Sequence, residues 1–311
     1  MYSPFISGAG NSKINPSKLA DVIPINENLA ETVPQFTSTD AKEILLLGKT
    51  LEQYGYEHIN WNMGCPFSRI ANKKRGCGML PYPDELNRIL EEVFRDFPIK
   101  LSIKTRLGYF KPTEIERVLD ILNQYPLELL IIHPRIGTQL YSGEVNLNGF
   151  EKCIEKSVNT IAYNGDVYHL DRFNYLQKRF PTINHWMLGR GVLLNPALAM
   201  EIGGNPLIES EKRKRLKAFL DEIMQESLNA NKNPSSIVGY MKALWFYLSG
   251  TFENPNYTFD SIKKANDVNT YLQLANKALE APIAAPEAIE NYYRTGFARQ
   301  LGIDGQNLFQ I

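Results

Sequence analysis

TIAYNGDVYHLDRFNYLQKRFPTINHWMLGRGVLLNP, residues 160–196, holds two short apolar runs, each closed by a glycine-bearing triplet, with a helical stretch between them. Asn164-Gly165-Asp166 follows the first run and Gly189-Arg190-Gly191 the second. Glycines let main chain approach a ligand closely, and successive backbone N–H groups in such turns form a concavity for an anion. Either triplet alone is weak, because glycine-rich turns commonly do no more than turn the chain. Their order and spacing make the pair informative: closed (β/α) barrels often hold phosphate with the loops after strands 7 and 8 plus a short extra helix.

Upstream, β-branched or apolar runs at 2–7, 32–37, 58–62, 101–105 and 129–133 precede those at 160–163 and 185–189, giving seven expected strands. Most are followed by helical periodicity. Thr39-Asp40 opens one helix that closes at Gly55, Asp84 another that runs to Phe97, and Pro112-Thr113 a third that ends before Pro126. Further helices are expected at 148–157, 169–179 and 196–202. Repeated βα units mean an open doubly wound sheet or a closed barrel, and the two phosphate signals favour the α/β, TIM (β/α)8-type barrel. If the last two strands are the seventh and eighth, the chain starts at the second, so the first βα unit is expected to be missing. After Pro206 only helical patterns remain. The expected organisation is therefore a barrel domain over 1–206 and an all-helical domain over 207–311.

Composition excludes several classes. With 43% hydrophobic and 22% charged residues, the chain is that of an ordinary globular protein rather than a disordered or fibrous one. Lys plus Arg number 34 and Asp plus Glu 34, so any nucleic-acid surface is a local patch. No apolar run approaches the roughly 20 residues that cross a bilayer, and the start has no signal-peptide pattern, so no membrane partner and a cytoplasmic location are expected. Three cysteines without a CxxC pair, and four histidines, argue against a disulfide framework or a structural metal site.

Chemistry concentrates at expected strand ends. Asn60-Trp61-Asn62-Met63-Gly64-Cys65-Pro66 places Cys65 just past a strand, before a long basic loop that contains Lys73-Lys74-Arg75. A free cysteine is usually inert and buried, but this flanking pattern marks a reactive one; Cys77 and Cys153 are taken as structural. In Ser102-Ile103-Lys104-Thr105-Arg106 a strand ends in two cations. A lysine facing a barrel interior is costly unless it meets an anion or acceptor, such as the N1/O2 edge of a flavin; the bland reading is a rim salt bridge. His133 and Arg135 repeat the design one strand later, and Gln35 ends the strand before Cys65's own. Lys212-Arg213-Lys214-Arg215 opens the helical region.

The segments NWNMGCPFSRIANKKRGCGML, SIKTRLG, HPRIGTQLYSG, NGDV and LGRGVLLNP resemble, in this order, the tRNA-dihydrouridine synthase family. That resemblance implies an FMN-bearing barrel, a helical RNA-binding domain, NADPH as reductant, and reduction of a uridine C5–C6 double bond in tRNA. It implies that Cys65 donates the proton to C5. Gln35, Asn62, Lys104 and His133 would contact the flavin, and Asn164, Gly165, Asp166, Gly189 and Arg190 its phosphate. Arg135, Lys73, Lys74 and Arg75 would face the substrate, with tRNA as partner of a monomer. The competing readings are a small-molecule FMN barrel reductase and an RNA-binding protein that has lost catalysis.

Overall fold

The computed structural model describes residues 1–8, 10, 14–23, 32–230 and 233–293. Seven parallel strands pair in sequence order: β1 (Tyr2–Ser7), β2 (Val33–Thr37), β3 (His58–Met63), β4 (Lys100–Gly108), β5 (Leu130–Ile136), β6 (Ile161–Asn164) and β7 (His185–Met187). This is the strand order of a TIM-type (β/α) barrel, as expected. β1 and β7 end the series and do not pair with each other among the described residues.

Alternation along β2, β3 and β4 explains both faces of the sheet. Phe36, Ile59, Trp61, Met63, Leu101, Ile103 and Leu107 are buried on one face, where Phe36 and Trp61 stack at 5.9 Å. The opposite face is polar, and register aligns it across strands: Gln35 beside Asn60, Asn60 beside Ser102, Asn62 beside Lys104, and Arg106 beside His133.

Helices α1 (Ala41–Gln53), α2 (Ser68–Ala71), α3 (Pro83–Val93), α4 (Glu114–Leu122) and α5 (Leu147–Lys156) fill the connections. Asp40 caps α1 by accepting from the Lys42 N–H, and Pro83 supplies a preset first turn for α3. Each apolar stripe is buried, as with Leu86, Ile89, Leu90 and Val93 of α3.

Two compact units divide the chain: Met1–Asn164 with Ile183–Met187, and Gly165–Thr182 with Leu188–Ile311. The second unit contains α6 (Leu170–Arg179), α7 (Arg190–Leu194), α8 (Leu198–Ile202), α9 (Glu209–Asn229), α10 (Pro234–Leu248), α11 (Pro255–Lys263), α12 (Val268–Leu279) and α13 (Pro286–Asn291). Tyr168, just before α6, and Leu194 of α7 share a buried cluster with Phe246, Ala284, Ile289 and Tyr293. A larger core surrounds Met241, Trp245 and Tyr271, with the Trp245 indole donating to the Tyr271 hydroxyl at 3.0 Å. The helical character expected after Pro206 holds, with one isolated antiparallel bridge between Phe252 and Ile283. No described helix is long and apolar enough to cross a membrane.

Leu130 of β5 has no exposed surface, whereas Val158 is 76% exposed. Leu130→Ala should therefore cost about 2–5 kcal/mol in urea unfolding. Val158→Ala should stay within about 0.5 kcal/mol. Equal losses in the two variants would contradict this core.

Candidate active site at the mouth of the strands

A directional chain of buried amides organises the polar face. Asn62 Oδ1 accepts the backbone N–H groups of Gly64 at 3.0 Å and Cys65 at 2.9 Å, which forces its Nδ2 to be the donor to Gln35 Oε1 at 2.7 Å. Gln35 Nε2 in turn donates to Asn60 Oδ1 at 2.9 Å, and Asn60 Nδ2 to Ser102 Oγ at 2.8 Å. Ser102 Oγ also lies 2.6 Å from His58 Nε2. Each amide's orientation is thus set by its neighbour. Gln35 keeps a second N–H and a second lone pair for a ligand, because each end of its amide is engaged once by these bonds.

Cys65 sits in a loop held at many points. Its carbonyl accepts from the Cys77 N–H at 3.1 Å and from the Cys77 thiol at 3.3 Å. Thr37 Oγ1 donates to the Asn62 carbonyl and accepts from the Gly76 N–H, both at 3.2 Å. Gly76 has φ +57°, and a Cβ there would lie 2.4 Å from the Cys65 carbonyl oxygen, so only glycine fits. The stretch expected as loop contains α2 and a 3₁₀ turn at Gly76–Met79. Cys65 is 7% exposed, and burial raises its thiol above the ordinary range, against smaller lowering effects from the Phe67 N–H, Arg106 and Lys104. The group is therefore a thiol, not a thiolate, at neutral pH. Cys77 is fully buried and pushed up to about 12, as is Cys153 on α5, both chiefly by burial.

The two cations of β4 have different fates. Arg106, 2% exposed, donates to the carbonyls of Gly64 at 3.0 Å, Ile136 at 2.9 Å and Leu140 at 2.8 Å, and lies over the Tyr141 ring. It ties the Cys65 loop to the loop after β5. Lys104 is partly buried and has no hydrogen bond or ion pair among the described residues, so it is not a rim salt bridge. Burial, with Arg106 nearby, lowers its ammonium to about 8. An unspent cation on a polar interior face calls for an anionic or electron-rich ligand.

His133 and Arg135 meet on β5. The Arg135 guanidinium, which can only donate, lies 3.3 Å from His133 Nε2, so that nitrogen accepts and the imidazole carries its proton on Nδ1. Arg135 is 1% exposed and also donates to the carbonyls of Ser142 and Gly143, at 3.2 and 2.6 Å. These bonds hold the loop after β5. Similarly, Arg75 lies 3.6 Å from the buried Glu43 carboxylate, which accepts from Ser38 Oγ. Lys74 binds Glu85 at 2.8 Å and covers the Tyr82 ring. Lys73 is the member of the cluster that points to solvent. Asn164 at the end of β6 donates to the Met187 carbonyl at 2.8 Å.

In the second unit the two glycine turns meet each other. Asp166 Oδ1 accepts from Arg190 and from the Tyr168 hydroxyl, both at 3.0 Å, and Asp166 adopts φ +33°. Gly191 touches the first turn so closely that a Cβ would lie 1.9 Å from the Val167 carbonyl oxygen. A Cβ on Gly189 would meet only open space. Three groups that organise the mouth, Asn60, Ser102 and Glu43, were not singled out from the sequence. The period-2 pattern would have found the first two, since positions 58, 60 and 62 face the same way as 102, 104 and 106.

A family model described as Dihydrouridine synthase (Dus) matches residues 1–282. A Pasteurella multocida protein named tRNA-dihydrouridine synthase B is 28% identical over 165 residues, 53% of this chain and 49% of that protein. The Escherichia coli K12 protein of the same name is 27% identical over 147 residues, 47% and 46% respectively. A Neisseria meningitidis tRNA-dihydrouridine(16) synthase is 24% identical over 251 residues, 78% and 74%. The chain thus spans about half the length of the first two relatives.

Asn62→Ala removes an acceptor of two buried N–H groups and a donor to Gln35. It should cost about 1–3 kcal/mol of stability. It should also speed alkylation of Cys65 by iodoacetamide, followed by mass spectrometry; unchanged alkylation would show that the loop is held without it.

Proposed function

We propose, from the premise that this chain belongs to the dihydrouridine synthase family, that it reduces the C5–C6 double bond of uridine in tRNA with FMN as resident cofactor and NADPH as reductant. One observation carries the reading: a thiol kept protonated by burial is fixed on the loop that leaves β3, beside β4 with its unpartnered Lys104 ammonium.

The residues present fit FMN. Lys104 has no partner among the described residues, and Gln35 is oriented with donor and acceptor capacity to spare. These two, with Asn62 and His133, would hold the polar edge of the ring. The phosphate is assigned to Gly165, Asp166, Gly189 and Arg190, with Asn164 preceding them in the chain; Asp166 orients the Arg190 guanidinium. When bound, the flavin supplies the hydride that reaches C6 of the uracil ring.

The chain's own task is the proton. Once C6 has gained hydride, C5 carries enolate-like charge and needs an acid. Cys65 Sγ–H gives its proton there, and the raised pKa suits a donor and disfavours a nucleophile. Asn62 fixes the backbone at 64 and 65, and Arg106 fixes it from the other side through the Gly64 carbonyl. A uridine inside folded RNA must leave its stack to reach this mouth. Exposed Lys73, Lys214 and Arg215 would supply phosphate contacts, which position an RNA without reading its sequence. We place the protein in the cytoplasm as a monomer, with the barrel and helical domains dividing at 206/207 as catalytic and RNA-binding parts. The second reading, an RNA-binding protein without catalysis, requires that the purified chain be colourless and take up no FMN.

Cys65→Ala should retain the yellow flavin spectrum and lose about 10²- to 10⁴-fold in dihydrouridine formation. Unchanged turnover measured by nucleoside mass spectrometry would remove Cys65 from the mechanism. Lys104 has a pKa lowered to about 8, so its charge is present below that pH and lost above it. FMN affinity of the flavin-free protein, read by quenching of flavin fluorescence, should weaken as pH rises from 7 to 9. Lys104→Gln should flatten that dependence, and an identical pH profile in the variant would contradict the assignment.

A further inference from the structure

We propose that Phe110 is a stacking platform for an RNA base adjacent to the everted uridine, an inference that rests on the reading of the chain as a uridine reductase acting on RNA. β4 runs past Lys104 and Arg106 to Gly108, and the residues that follow are fixed with unusual thoroughness for a surface turn. The backbone N–H groups of Tyr109, Phe110 and Lys111 all donate to the Glu114 carboxylate, at 2.7, 3.2 and 3.1 Å. A Cβ on Gly108 would lie 2.0 Å from the Lys111 carbonyl oxygen, so the turn closes on itself with no room to open. On its other side the Tyr109 carbonyl accepts from the Thr138 N–H at 3.1 Å, and the Tyr109 ring lies where a Cβ on Gly137 would approach it to 2.2 Å.

The consequence is a divergent pair of rings. Tyr109 turns in against the loop after β5, while Phe110 turns out and stays 59% exposed, packed edge-on to Tyr109 with centroids 4.6 Å apart at 67°. A phenyl group left in water on a rigid turn at the rim of the mouth, with Lys111 exposed beside it, has the character of a nucleobase platform. Every base has a π-face, so such a ring accepts any neighbour of the target. Everting a uridine exposes the faces of the flanking bases, and single-stranded or unstacked positions are where proteins place aromatic side chains against RNA. Parallel pairing of β3 and β4 puts this turn at the same sheet end as the Cys65 loop. A ring there meets the nucleotides on either side of the target before the target itself.

The test uses the full chain loaded with FMN and an unmodified tRNA transcript that the wild type converts. Equilibrium binding is measured for Phe110→Ala, Phe110→Leu and Phe110→Trp, with flavin content and melting temperature recorded for each. Ala and Leu should weaken binding about tenfold, Trp should stay within about twofold of wild type, and flavin content should not change. Leu has the apolar bulk without the π-face, so a Leu variant that binds like wild type would overturn the proposal. A wild type that forms dihydrouridine while all three variants bind equally would refute Phe110 alone. A wild type that neither binds the transcript nor forms dihydrouridine would refute the functional reading and this inference with it.

Discussion

The mouth of this sheet depends on a single oxygen. Asn62 Oδ1 accepts the N–H groups of both Gly64 and Cys65, and with those two bonds made the orientation of Gln35, Asn60 and Ser102 follows one after another. Buried amides left unpaired cost more than paired ones gain, so the chain is satisfied as a whole or strained as a whole. It holds the Cys65 backbone in place from the strand side and leaves Gln35 aimed by its neighbours. A site that must present an acid to a carbon atom gains from this, because positioning within a fraction of an ångström is where much catalytic power originates.

Around that oxygen, charge is divided into groups already engaged and a group still available. Arg106 and Arg75 lie two residues from Lys104 and Lys73, yet they and Arg135 bind carbonyls or the Glu43 carboxylate, while the two lysines make no such bond among the described residues. A planar guanidinium can bridge several carbonyls at once, as Arg106 does for three, whereas an ammonium is a compact point charge. The arginines therefore serve as ties between loops. Lys104 makes no such tie among the described residues, and burial lowers its pKa to about 8.

Much of this was legible from residues alone. Seven apolar runs, each closed by a turn signal, marked the strands, and the two glycine triplets marked the last two; Gly191 against Val167 and Arg190 on Asp166 bring those triplets together. β4 and β5 were the least well bounded, each running three residues past its expected end: in β4 the polar Lys104, Thr105 and Arg106 looked like a strand end, but polar residues continue the strand where the inward face is lined with amides. The fate of each cation was not legible, because Ile136, Leu140 and Glu43 are distant in sequence and no local pattern records such contacts. The Cys65 segment was expected as a long basic loop; the bonds that hold it, from Thr37, Cys77 and Arg106, are again non-local.

The central claim is that the polar face of β2 to β5 exists to hold a flavin next to a protonated thiol. The most direct measurement is the stoichiometry of FMN in the purified full chain, by visible spectrum and mass of the released chromophore, together with its affinity after removal and re-addition. The account predicts one FMN per chain, released intact and rebound. Protein that is colourless as isolated and leaves added FMN fully fluorescent would contradict it.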